Sequence, residues 1–316
     1  MSWYLIIPHI HIENANAMSS LYTIGFPSMT SWLGGVHALQ RRINELQRLS
    51  QIEFVQTAVI CHHHRLHTYR NHSLYSTIIS TSNPLKKDGG RPSFIEEGRI
   101  HLDVSLVIEV SGVTNDSKEE LEEAVAYMMP TIKLAGGNII RFGLELYRHG
   151  GGERRRIQSL LLHEKEETWK KIKRLLMPGY VVLDRHDVLM DACKDQMATD
   201  IPDDASSLDT LLACLAVTAE AEKDDMGQVQ RWNYKKSLPG WLIPIMVGFK
   251  GVTSLGRVDN QRDPTTLHRF VEPAITLAEF KMLHHIHDMD AIFWRYAYDD
   301  SNDFYVCRNT SRVEGE

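Results

Sequence analysis

Hydrophobic and polar positions alternate most cleanly between residues 99 and 110. Ile100, Leu102, Val104, Leu106, Ile108 and Val110 are set against Arg99, His101, Asp103, Ser105 and Glu109, which predicts a strand with one core face and one polar face. An earlier strand is predicted over Trp3 to Ile12, with Tyr4, Ile6, Ile10 and Ile12 on one apolar face and Trp3, His9 and His11 on the other. Between the two, Met29, Trp32, Leu33, Val36, Leu39, Ile43 and Leu46 recur at helical spacing, leaving Gly34, His37, Arg41, Glu45 and Arg48 outside. Ile52 to Cys61, apolar in both phases, reads as an interior strand. Ser117-Lys118-Glu119-Glu120 has the form of a capping box opening a helix that Pro130 ends, and Leu134 to Ile140 is a glycine turn running into a short strand.

That order is strand, helix, strand, strand, helix, strand. It predicts an α+β fold whose residues 1–142 form a ferredoxin-like (RRM-like) βαββαβ domain, helices on one sheet face and the other free for binding. Residues 62–98, rich in His, Ser, Asn, Pro and Gly, form a long insertion read as a projecting thumb hairpin with a strand at Thr77-Ile78-Ile79. Residues 143–316 are read as a mixed α/β C-terminal part. It holds helices over Glu164 to Met177, near Asp187 to Met197, over Leu208 to Lys223 and after Thr276-Leu277-Ala278-Glu279, with strands over Tyr180 to Leu183 and through Ile292 to Tyr296.

The long polar stretch Asn14-Ala15-Asn16-Ala17-Met18-Ser19-Ser20, continuing through Gly25-Phe26-Pro27-Ser28, leads to a helix N-terminus, where free N–H groups favour a phosphate. An ordinary strand-to-helix connection capped by Ser28 is the plainer reading. Charge sharpens the picture. The overall net charge of −6 conceals a division, since residues 1–183 carry 21 Lys and Arg against 18 Asp and Glu, and the remainder 14 against 23. A molecule polarised in this way can meet a polyanion on one side and a protein on the other. Hydrophobic residues make up 43% of the 316, enough for a substantial core, and no apolar run reaches membrane-spanning length. Met1-Ser2-Trp3 opens directly on a strand pattern, so the cytoplasm is the expected compartment. Cys61, Cys193, Cys214 and Cys307 have no metal or disulfide spacing and are expected to be reduced, mostly buried thiols.

Signals for catalysis are weak. His62-His63-His64 alternates faces on a strand and cannot chelate one ion, and no cofactor or metal is expected. His9, His11 and His101 can share the polar sheet face, in a hydrogen-bonded or solvated role. No GxSxG, Walker or GxGxxG pattern is present. His37, beside the Asn-rich loop, is the best candidate base for activating a 2′-hydroxyl, which leaves a metal-independent endoribonuclease as the alternative to a non-catalytic protein.

Taken together, Asn14 to Ser20, Gly25 to Ser28 and Val36 to Arg42 resemble the N-terminal signature of the second Csy subunit of the type I-F CRISPR RNA-guided surveillance complex. The resemblance extends through Asn83-Pro84-Leu85 with Asp88-Gly89, Glu96 to Arg99, Leu134 to Gly137, Pro239 to Leu242 with Pro244, and Arg269 to Glu272. It implies a member of the repeat-associated mysterious protein superfamily, with a ferredoxin-like domain and a glycine-rich loop to which Gly136-Gly137 corresponds. It further implies a scaffold that holds the 5′ handle of crRNA, pairs with the large Csy subunit and abuts the first backbone subunit, with target DNA a further partner through the assembled complex. Residue chemistry agrees with that role. Asn14, Asn16, Ser19 and Ser20 suit base edges or a 2′-hydroxyl, and Gly136, Gly137 and Asn138 allow backbone to approach a phosphate. Lys86, Lys87 and Arg91 can cross the strand while Leu85 or Phe94 wedges between bases; His37, Arg41, Asn83 and Arg141 complete the candidate RNA contacts.

Overall fold

The computed structural model describes residues 2–70, 76–79, 85–92, 97–147, 154–195, 206–224, 226–261 and 263–309. Asn83 and Phe94 lie outside them. In chain order the elements are β1 (Trp3–Asn16), α1 (Met29–Ile43), β2 (Glu53–Leu66), β3 (Thr68–Tyr69), β4 (Thr77–Ile78), β5 (Arg99–Ser111), α2 (Lys118–Met128), β6 (Lys133–Leu134), β7 (Gly137–Arg141), β8 (Leu144–Tyr147), β9 (Arg154–Ile157) and β10 (Leu160–His163). They continue with α3 (Lys165–Leu175), β11 (Tyr180–Asp184), α4 (His186–Asp195), α5 (Ser207–Leu215), β12 (Val217–Lys223), β13 (Val229–Lys236), β14 (Leu242–Gly251), β15 (Val271–Met282), β16 (Trp294–Asp299) and β17 (Phe304–Asn309). The fold is α+β, built on a mostly antiparallel sheet.

At the centre, β2, β5, β1 and β7 lie side by side in that order, each pair antiparallel. The far edge of β2 meets both β16 and β11, so β2, β11, β15, β14, β17 and β16 close a ring of hydrogen-bonded strands. Strands from both ends of the chain thus share one 11-stranded sheet. Trp294, fully buried inside that ring, donates its indole N–H to the Val182 carbonyl at 2.8 Å, tying β16 to β11. Three further two-stranded sheets stand apart, β3–β4, β8–β9 and β12–β13.

One face of the central strands carries Leu5, Ile7, Ile10, Ile12, Val59, Cys61 and six of the apolar residues of β5 into a core with α1 and α2. The opposite face is apolar only over half its length: Tyr4, Ile6, Ala58, Ile60 and Val107 pack beneath Ile172 and Leu176 of α3 and its C-terminal end, and beneath Leu283 to Phe293. Beyond that cover the face turns polar.

Four expectations need correcting. Tyr4 and Ile6 do not share a face with Ile10 and Ile12, because the register with β5 slips between Ile7 and Ile10, where His9 takes φ +46°. One extra residue in a strand inverts every side chain after it. Ser117 does not form the predicted box; its hydroxyl is occupied with the Thr114 N–H and carbonyl instead. The helix after Thr276 is β15: Leu277 and Ala278 are fully buried between β11 and β14, and that two-sided pairing overrides the capping pattern. The helix read over Leu208 to Lys223 stops at Leu215, and Val217–Lys223 pairs with β13. Cys61, Cys214 and Cys307 are buried free thiols and Cys193 is exposed.

Candidate nucleic-acid interface

The polar half of the outer sheet face is a lattice of side chains set by strand register. Arg141 of β7 lies opposite His11 of β1, His11 opposite Asp103 of β5, and Asp103 opposite His63 of β2. In the next row on that face, Arg65 stands opposite His101. Arg99 continues the face at the mouth of β5, where its guanidinium pairs with Glu97 and reaches the Asn14 carbonyl at 3.4 Å. The bulge at Pro8-His9 is what turns His9 and His11 outward here.

Asp103 is the carboxylate that pairs with this histidine cluster. Its side chain keeps 17% of its exposure and accepts from His9 Nδ1 at 3.2 Å on both oxygens, with His11 Nε2 at 3.7 Å. Half-burial opposes its charge, yet the His9 hydrogen bond and the potential of His9, His11 and His62 prevail and hold the carboxyl below the ordinary range. His62 stacks on His9 with centroids 4.1 Å apart. Its Nδ1 donates to the Pro178 carbonyl at 2.8 Å, so Nε2 accepts from the Ser105 hydroxyl at 2.7 Å, and that hydroxyl oxygen in turn accepts the His9 N–H. Burial pushes the His62 imidazole below its usual pKa, the Pro178 carbonyl opposing the shift, which agrees with a neutral ring wedged at the edge of the α3 cover. Ser105 is fully buried, so this Ser–His pair braces the sheet and offers no nucleophile to a ligand.

The Asn-rich stretch, the glycine turn and the root of the insertion converge beside this face. Asn14 and Asn16, expected in a loop, are exposed residues of β1, with Asn14 at φ +56° beside a second register shift. The Asn14 N–H donates to His101 Nδ1 at 3.2 Å, and the Asn16 N–H to the Ala135 carbonyl. Gly136 (φ +76°) is exposed next to Asn16, whereas a Cβ on Gly137 would meet Ile12 Cγ2 at 2.5 Å and the Ala15 nitrogen at 2.8 Å. The requirement for glycine at 137 therefore arises from packing on β1. Asn138 is exposed opposite Glu13. Ser19 and Ser20 are tied within their own turn, each hydroxyl 2.8 Å from Thr23 Oγ1.

β2 runs to Leu66, five residues past its expected end, so His62, His63 and His64 belong to the sheet and the insertion begins after it. Thr68-Tyr69 and Thr77-Ile78 make a short hairpin whose root, His67, has its ring 4.2 Å from His101. Leu85, Lys86, Lys87 and Arg91 are all exposed, around a turn closed by the Gly89 N–H donating to the Lys86 carbonyl. His37 and Arg41 are not part of this assembly. Both are exposed on α1, and His37 lines a cavity of about 250 Å³ with Phe54, Trp294 and Tyr296, on the helix side of the sheet. Among the described residues no group of His, Cys, Asp and Glu could hold a metal ion, and no helix is long and apolar enough to cross a membrane.

His62, Arg65, Arg99 and Asp103 are missing from the sequence-based candidates. The alternation in β5 exposes Arg99 and Asp103 as outward residues, but only register brings β2 and β1 against them and β7 alongside β1.

The chain matches the family profile described as "CRISPR-associated protein (Cas_Csy2)" over residues 5–307. The chain belongs to the Csy2 family of CRISPR-associated proteins. Among curated relatives, it is 30% identical over 320 residues to CRISPR-associated protein Csy2 of Pseudomonas aeruginosa strain UCBPP-PA14, covering 95% of this chain and 93% of that protein. The match spans the central strands, the closed ring and the β12–β13 hairpin alike, so family membership bears on the whole fold.

Proposed function

We propose that this Csy2-family chain is a non-catalytic RNA-binding subunit of a type I-F CRISPR surveillance complex. It holds the 5′ handle of crRNA, pairs with the large Csy subunit, abuts the first backbone subunit, and meets target DNA through the assembled complex in the cytoplasm. The observation that carries the reading is the uncovered half-face. Arg141, His11, His9, His63 and Arg65 are brought by register about Asp103, and Arg99 pairs with Glu97, at the sheet end where Asn14, Asn16, Gly136 and the insertion come together. Single-stranded RNA is held by phosphate contacts to cations and by hydrogen bonds to splayed bases, and this face offers both kinds of donor. The strand order β2–β5–β1–β7 supports reading residues 1–142 as a ferredoxin-like unit, with 143–316 completing the sheet.

Lys86, Lys87 and Arg91 extend the basic surface along the thumb, with Leu85 placed to wedge. The placement of His37 across the sheet from Asn14 and Asn16 supports the non-catalytic reading over an endoribonuclease. The test is retention by the assembled complex of handle RNA against a scrambled RNA of equal length. Preferential retention of the handle is expected, and equal affinity refutes handle recognition. Intact handle RNA after prolonged incubation is expected too; cleavage lost in His37→Ala would establish the nuclease instead.

A further inference from the structure

β12 and β13 form a hairpin that stands outside the main sheet, and almost every residue in it is exposed. A lone two-stranded ribbon is marginal in water, so an apolar face on one calls for an explanation. The register sorts its side chains into two unlike faces. Val217, Ala219 and Ala221 lie opposite Lys236, Tyr234 and Trp232; the register shifts between Glu222 and Lys223 by one extra residue in β13, which leaves the phase of β12 unbroken and Lys223 on the side of Ala221. Thr218, Glu220 and Glu222 lie opposite Lys235, Asn233 and Arg231 on the other.

The two faces differ in charge. Both glutamates are on the second face, where Glu220 accepts from Lys235 at 2.6 Å and Glu222 from Asn233 at 3.2 Å. The first face carries Lys223 and Lys236 with no acid between them. Its two rings are bare, Trp232 at 54% and Tyr234 at 73% exposure, and each stands opposite an alanine, so neither is covered by its cross-strand neighbour. Spaced two residues apart on one strand, they sit about 7 Å from each other, room for one base on each. Aromatic rings in the open with cations at either end and acids sorted to the back make a stacking platform for a polyanion.

We infer that the β12–β13 hairpin is a second nucleic-acid site, which takes a single strand by stacking bases on Trp232 and Tyr234 while Lys223 and Lys236 hold phosphates. Between the lysines the platform's side-chain hydrogen-bonding groups are the Tyr234 hydroxyl and the Trp232 indole N–H, and stacking on the ring faces supplies most of the grip, so ribose and deoxyribose strands bind alike. The site is separate from the sheet face proposed to hold the handle.

The experiment uses the assembled complex and the purified full chain with fluorescent 15-mers of uridine and of thymidine, neither carrying handle sequence. Anisotropy should show both binding within about threefold of each other. W232A/Y234A should weaken both about tenfold or more, as loss of stacked bases does elsewhere. K223E/K236E should do the same and flatten the salt dependence. Photocrosslinking with iodinated bases should map to the 229–236 peptide. The substitutions lie on exposed side chains, and unchanged circular dichroism and handle retention in both variants keep the result separate from the handle reading. Unchanged binding in either variant overturns the site, as does loss of a protein subunit from the variant complex with oligonucleotide binding intact, which would make the face a protein dock.

Discussion

Arg65 and Arg141 offer the sharpest test of the sheet face. Both are exposed, they sit on β2 and β7 with β5 and β1 between them, and register turns both toward the side that carries Asp103. If each holds one phosphate of a bound single strand, each contributes about 0.7 to the slope of log affinity against log salt. At about 0.1 M salt the same term amounts to about fivefold in affinity for each contact. R65A/R141A should therefore bind handle RNA about 25-fold more weakly, a loss of about 2 kcal/mol, with the salt slope shallower by about 1.4. Each single variant should show about half of both effects on the logarithmic scale. R48A is the control: Arg48 follows α1, is paired at 3.8 Å with Glu120 of α2, and should leave slope and affinity unchanged. Filter binding of the complex from about 50 to about 400 mM salt reads both quantities. A double variant whose slope equals that of the parent refutes the claim that this face carries phosphates, however much its affinity falls, because misfolding lowers affinity without removing counterion release in register with two charges.

Three further outcomes follow from geometry. Gly137→Ala forces a Cβ into Ile12 and the Ala15 and Glu13 backbone and should cost about 1–3 kcal/mol in urea unfolding, whereas Gly136→Asn, in open space at φ +76°, should cost less than about 1; equal stabilities would remove the packing explanation. Trp294→Ala empties the centre of the strand ring and orphans the Val182 carbonyl, so a loss of about 3–5 kcal/mol is expected, and a midpoint near that of the parent would mean β16 does not close the ring. The folded state holds His62 below its ordinary pKa, so below about pH 6.5 the unfolded chain binds the extra proton first and stability should fall as pH drops from there. His62→Gln should flatten that decline below about pH 6.5; an unaltered pH profile would assign it to another group.

β5 shows how far pattern alone reaches. Its six alternating apolar positions, Ile100 to Val110, enter the core on one side, as the alternation predicts, with Val107 alone turned to the other face; β5 keeps its phase because the extra residues at each register shift lie in β1 and β2. β1 shows where it stops. Reading Tyr4, Ile6, Ile10 and Ile12 as one face assumes an unbroken period of two, and the slip at Pro8-His9 breaks it. The Pro8 ring removes a ladder donor, and His9 leaves the β region; both residues stand in plain sight, but the conformation they adopt depends on Ser105 accepting the His9 N–H from the next strand. β12 escapes the pattern for another reason: Ala and Glu alternate in Val217–Lys223 with a period of two, yet both are good helix formers, and propensity masks the period until pairing with β13 decides it.

The same division explains the site. Glycines, asparagines and basic residues announce themselves locally, so Asn14, Asn16, Gly136 and the thumb cations are legible in the amino-acid sequence alone. Asp103 is not, since a lone acid in a strand is chemically mute until its neighbours are known. Its surroundings give it a role that the cationic residues lack. A face of histidines and arginines without a carboxylate would repel itself and hold a polyanion nonspecifically; Asp103 fixes His9 and draws His11 toward the same oxygens, so their rings present defined edges. Strand register, with a one-residue bulge to turn β1 outward, is what gathers charges scattered along the chain onto one surface.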